Sequence, residues 1–121
     1  MAVITAMPLE GAVRRLKNRS EFLRAARGQR VGRSAFSLQA IASESEEPGL
    51  GFTVTKLTGN SPERNRIRRR LRAVAKACET GFQPRHDYVL VGRRDALTLP
   101  FTRLVEDLTT SLSKIHSKKK S

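Results

Sequence analysis

Six arginines fall within the nine residues Arg64 to Arg72, while Ile67, Leu71, Val74, Ala75 and Cys78 recur at helical spacing through the same stretch. A segment patterned this way can bury only one face. Ser61 suits the N-cap, Pro62 the first helical position and Glu63 the first turn, so the spacing predicts a helix from Ser61 to Cys78. With Ile67 set at 0° on a helical wheel, Asn65, Arg68, Arg69, Arg72 and Lys76 lie at about 100° to 200°. Arg66 and Arg70 flank them. Burying Ile67, Leu71 and Val74 therefore pushes a cationic ridge outward. Alone, that ridge is unfavourable. Arg64/Arg68, Arg66/Arg70 and Arg68/Arg72 are like charges at i,i+4, costing a few tenths of a kcal/mol each. Cations in the first turns also oppose the helix dipole. A polyanion partner accounts for the arrangement. An ordinary solvated face interleaves both signs, whereas Glu63 and Glu79 only bracket this run.

The rest of the composition agrees. A net charge of +13 and a pI near 11.4 point to nucleic acid or an anionic membrane surface. No apolar run approaches the roughly 18 residues of a bilayer span. A surface-lying helix would set Trp or Phe opposite its charges; here Ile, Leu, Val and Ala stand there and read as core. Nucleic acid is the expected partner, with no membrane and no protein partner evident. The 121 residues suit one domain with a modest core. The lone Cys78, on the apolar stripe, reads as a buried structural thiol and fits a reducing cytoplasm. Met1 to Gly11 lacks a basic signal-peptide start. Expected boundaries are a loose leader at 1–12, one domain at 13–115 and a basic tail at 116–121.

Taken in order, Val13 to Arg27 reads as a first helix, capped at Asn18 or, by preference, Ser20, and stopped by Gly28. A short edge strand fits around Val31. Ala35 to Ala42 and Leu50 to Thr55 alternate, so they are expected to pair as an antiparallel hairpin across the acidic Ser43–Gly49 loop. One hairpin face is apolar. The other carries Ser37, Gln39, Thr53 and Thr55, and is either left in water or receives an extended ligand. Asp87 to Arg93 reads as a buried strand, which with the strand before the arginine helix makes a crossover unit. Phe101 to Ile115 closes the domain as a helix, with Phe101, Leu104, Val105, Leu108, Leu112 and Ile115 on its apolar stripe.

Catalytic patterns are missing. The acidic residues are scattered apart from Glu44, Glu46 and Glu47, and His86 and His116 have no partner at metal-ligand spacing. His86, beside a strand start, is expected at the surface. No phosphate-binding glycine loop or nucleophile motif is present. The chain reads as a binder without an active site of its own, and the nearest competing function is a ribosome-associated RNA-binding protein using the same basic helix.

Gly51-Phe52-Thr53-Val54-Thr55-Lys56, then Gly59-Asn60, then Glu63-Arg64-Asn65-Arg66-Ile67-Arg68-Arg69, resemble the protein subunit of bacterial ribonuclease P. Leu16-Lys17 with Phe22, and Asp87-Tyr88-Val89-Leu90-Val91, match other parts of that family's pattern, so the resemblance spans roughly Arg14 to Ile115. It implies a small α+β, ribosomal-protein-like two-layer sandwich: a mixed sheet of about four strands, about three helices and a left-handed βαβ crossover through the arginine helix. It also implies a role beside a catalytic RNA that removes the 5′ leader of precursor tRNA with Mg²⁺ held mainly by the RNA, the protein alone being inactive. By match, Lys56, Asn60, Arg64, Asn65, Arg66, Arg68, Arg69 and Arg72 would meet the catalytic RNA. Arg15, Lys17, Phe22, Ser37 and Gln39 would meet the leader. The chain departs from the pattern at Ala25 and Ala26, at Gln39 and at Leu57. Ala25 and Ala26 stand where the family often has a second aromatic and Gln39 where another is common, which weakens base stacking in the implied leader groove.

Overall fold

Val89 and Val91 alternate with Tyr88 and Leu90, so the strand that carries them is apolar on both faces and must be covered on both. The computed structural model describes residues 14–118; the expected leader at 1–12 and the end of the basic tail lie outside them. Within that span the elements are β1 (Arg14–Arg15), α1 (Arg19–Ala26), β2 (Gln29–Gly32), β3 (Phe36–Ala42), β4 (Gly49–Thr53), α2 (Ser61–Ala77), β5 (His86–Gly92) and α3 (Phe101–Lys118). They form one five-stranded sheet in the order β1-β4-β5-β3-β2.

The expected β3–β4 hairpin does not form. The doubly apolar β5 inserts between the two strands, antiparallel to β3 and parallel to β4. Alternation reports which way side chains point, and adjacency is decided by which strand most needs burial. The crossover expected through the arginine helix is present as β4–α2–β5. β2 is the edge strand, antiparallel to β3. The fifth strand, β1, has only two residues, too few to show a period, and runs parallel to β4.

On one face of the sheet Phe36, Leu38, Ala40, Leu50, Tyr88 and Leu90 meet Ile67, Leu71 and Val74 of α2 and Leu104, Leu108, Leu112 and Ile115 of α3. Fully burying each large side chain contributes about 1.5–3 kcal/mol, which outweighs the few tenths lost at each like-charge arginine pair. Packing therefore sets the rotation of α2. Gly92 allows close approach, since a Cβ there would stand 2.7 Å from Ile67 Cγ2. Cys78 is buried beside Thr109 of α3, and burial pushes its thiol pKa up. Phe101 is 42% exposed and leaves the stripe expected for α3.

The other face is closed at its centre by α1, whose Phe22 and Ala25, with Leu16 just ahead of the helix, pack on Val89, Val91 and Ile41. The first helix is shorter than Val13–Arg27. It starts after Asn18, whose backbone N–H donates to Glu21 Oε1 at 3.1 Å. Ser20 would have put Leu23 at the third helical position, where no carboxylate could answer the cap. His86 is buried, against the surface position expected for it. Its ring meets His116 edge-on at 4.9 Å, and Nδ1 lies 3.0 Å from the Pro84 carbonyl.

Candidate nucleic-acid interface

α2 is capped by Asn60, one residue before the Ser61 expected. Asn60 Oδ1 accepts from the Glu63 N–H at 3.0 Å, and Glu63 Oε1 accepts from the Asn60 N–H at 2.9 Å. A cap at Ser61 would have placed Arg64, not Glu63, at the answering position. Arg94 then clamps Glu63, donating to Oε2 at 2.8 Å and Oε1 at 3.1 Å, and reaches the Thr58 carbonyl at 3.1 Å. The turn carrying Lys56 is thus tied to the start of the ridge.

Hydrogen bonds from Arg94, then from the Asn60 N–H, hold the Glu63 carboxyl down to about 2 from an ordinary 4.5. A lowered carboxylate pKa stabilises the fold above the unfolded value, and that stability is lost as pH falls through the folded one. The melting temperature of wild type should therefore exceed that of Glu63→Gln by a constant gap above pH of about 5, closing as pH falls from about 4.5 toward about 2. A gap that persists at the acid end would remove the clamp from the energetics.

Beyond the cap, the arginines divide by what holds them. Arg64 is half-buried and donates to the Gly59 carbonyl at 2.8 Å and to Ser61 Oγ at 3.2 Å. Arg70 turns inward to the carbonyls of Leu97 and Leu99, at 3.2 and 2.6 Å. Arg68 donates to Asn65 Oδ1 at 3.3 Å, and the Arg72 guanidinium stands 5.6 Å from the centre of the Phe52 ring. Asn65, Arg66, Arg69, Arg72 and Lys76 are exposed, as are Lys56 and Asn60. Among the described residues no arginine from Arg64 to Arg72 is ion-paired. Arg66 and Arg69 make no side-chain hydrogen bond there either. Among the described residues the ridge is a cationic surface without carboxylate partners.

The second candidate surface is the sheet face under α1. Strand register sets Gly51, Val89, Gln39 and Arg30 in one row, and Thr53, Val91, Ser37 and Gly32 in the next. The Phe22 ring lies over Gly51, where a Cβ would come within 2.7 Å of it. Gln39 then sits two strands away, about 10 Å at the usual spacing. Ser37 and Gln39 are 4% and 7% exposed, so the floor expected to be open to water is closed. β5 supplies the reason, because its valines draw α1 down on this face. Ser37 Oγ is buried there with no hydrogen-bond partner among the described residues. Lys17 is exposed at the entry to α1, where its backbone N–H donates to Glu21 Oε1 at 2.9 Å. Arg15 is exposed but registers beside Leu50, which directs it to the opposite face from Phe22.

Sequence reasoning missed Asp87 and Arg94. Asp87 is buried beneath α1 and accepts from Arg14 at 2.5 Å and Arg24 at 3.3 Å. These partners are distant in sequence and leave no local signal. The Asn-x-x-Glu spacings at Asn18 and Asn60 were available as capping-box signals.

Comparison with known proteins fits this geometry. The family model described as Ribonuclease P matches residues 11–116. The ribonuclease P protein component of Ruegeria pomeroyi is 42% identical over 109 residues, covering 86% of this chain and 87% of its own. That of Gluconacetobacter diazotrophicus is 43% identical over 104 residues, covering 83% and 89%. Among solved structures, the Staphylococcus aureus RNase P protein superposes with a TM-score of 0.69 at 25% identity over 82% of this chain and 92% of its own. The Thermotoga maritima RNase P protein gives 0.72 at 22% identity over 84% and 96%, a likeness of fold. With the family model and these relatives spanning nearly all of the described fold, the chain belongs to the ribonuclease P protein family and is a component of ribonuclease P.

Proposed function

We propose that this chain is the RNA-binding protein cofactor of a ribozyme, seating its ridge on the catalytic RNA of ribonuclease P. One observation carries the proposal: Arg66 and Arg69 have no partner among the described residues, on a helix whose opposite face is fully buried. Lys56, Asn60, Asn65, Arg68 and Arg72 extend the same surface, and Arg64 shapes the turn beside it. Guanidinium groups there neutralise phosphates that otherwise repel ribozyme and substrate.

The reaction is removal of the 5′ leader from precursor tRNA. When bound, Mg²⁺ supplies an activated water for phosphodiester cleavage. Among the described residues no group of three or more His, Cys, Asp or Glu side chains could hold a metal ion; Mg²⁺ is held mainly by the RNA, and the protein alone does not cleave. The leader lies along the margin of the face that Phe22 overhangs, beside Lys17 and above the nearly closed floor that holds Ser37 and Gln39. The unpaired Ser37 hydroxyl supports this placement. The complex works in the cytoplasm.

Phe22→Ala tests the leader assignment. Stacking a base on an aromatic ring contributes about 1–3 kcal/mol, so the preference for leader-bearing over mature tRNA should fall roughly tenfold in the reconstituted holoenzyme. Equal losses for both substrates would take Phe22 out of the leader site.

A further inference from the structure

Leu57 is 97% exposed, while the other exposed large apolar side chains among the described residues, Leu23 and Phe101, reach 50% and 42%. It does not sit on a loose loop. It is the middle residue of the 3₁₀ turn Lys56–Thr58. The Thr58 N–H donates to the Thr55 carbonyl at 3.0 Å, and the two threonine hydroxyls lie 3.3 Å apart. Arg94 holds the Thr58 carbonyl, and Arg64 holds that of Gly59 at 2.8 Å. Both arginines also tie the turn to the start of α2, Arg94 through Glu63 and Arg64 through Ser61. A leucine is therefore presented to water on a braced support, next to Lys56 and just ahead of the cationic ridge.

Phosphates do not favour contact with leucine methyl groups. The apolar surfaces of RNA are the base faces, reachable where a nucleotide is unpaired and unstacked. Leucine serves as an apolar wedge against bases in other nucleic-acid binders. Bracing reduces the entropy lost when the contact forms.

Resting on the function proposed above, we infer that Leu57 packs against the face of an unpaired base in the catalytic RNA, adding a salt-independent, shape-selective contact to the electrostatic ridge. Cations then set how strongly the RNA is attracted, and Leu57 reads whether a nucleotide at one place is free to be covered.

The test titrates full-length protein with the catalytic RNA of ribonuclease P over a range of salt. Leu57→Ala should weaken binding about tenfold, the scale of a leucine's lost burial. Its line of log affinity against log salt should run parallel to wild type. Leu57→Met should stay within about twofold, because it keeps the apolar volume. Both variants should melt with wild type, since Leu57 touches water almost everywhere. Wild-type affinity in Leu57→Ala, or a changed salt slope, would overturn the inference while leaving the ridge intact. A wild-type protein that fails to bind the RNA would overturn the proposed function, and this contact with it.

Discussion

Changing Arg66 and Arg69 together to alanine is expected to weaken binding to the catalytic RNA about a hundredfold at low salt, while the melting temperature stays within about 3 °C of wild type. Each residue offers one charge-assisted hydrogen bond to phosphate, at about 1.5 kcal/mol apiece. On the folding side nothing internal is lost, since neither side chain has a partner among the described residues. Alanine favours the helix slightly, and the Arg66/Arg70 repulsion disappears. Exposed substitutions of this kind stay within about 0.5 kcal/mol each. Arg70 gives the contrast. Its guanidinium holds the Leu97 and Leu99 carbonyls, so its removal should cost stability more than RNA affinity. Parallel filter binding and thermal melts separate the two behaviours.

Asp87→Ala should have the largest effect on the fold. Its carboxylate, 4% exposed, bridges Arg14 of β1 and Arg24 of α1. Removing one partner of a buried ion pair costs about 3–5 kcal/mol. The arginines are 28% and 46% exposed and can rehydrate, which reduces the expected loss to about 2 kcal/mol. For a domain of this size that lowers the melting temperature by about 8 °C. Because β1 and α1 are the elements released, leader discrimination should suffer before ridge binding does. An unchanged melt would mean that Leu16, Phe22 and Ala25 hold α1 without help.

Periodicity made α2 legible because its two faces differ in kind: Ile67, Leu71 and Val74 inward, arginines outward. The packed stripe of α3 was readable for the same reason, apart from Phe101. Strand neighbours were not. Phe36, Leu38, Leu50 and Phe52 announce a buried face, but nothing local to β3 or β4 says that β5 comes between them. The same insertion brings α1 onto Ser37 and Gln39, closing a surface that alternation alone left open. Which arginines are free was equally hidden. Arg64 and Arg66 look alike in sequence, yet one is bound to Gly59 and Ser61 and the other has no partner among the described residues. Glu63 and Arg94 meet across 31 positions. The family resemblance, resting on the Lys56 to Arg69 run, pointed to this stretch and could not divide it.

The salt dependence of binding to the catalytic RNA tests the central claim most directly. If Arg66, Arg68, Arg69, Arg72 and Lys56 each neutralise one phosphate, log affinity should fall against log salt with a slope of about −3.5 to −4.5, and Arg66→Ala/Arg69→Ala should flatten it by about 1.4 to 1.8. A slope unchanged in that double variant would mean that the RNA is held elsewhere on the molecule.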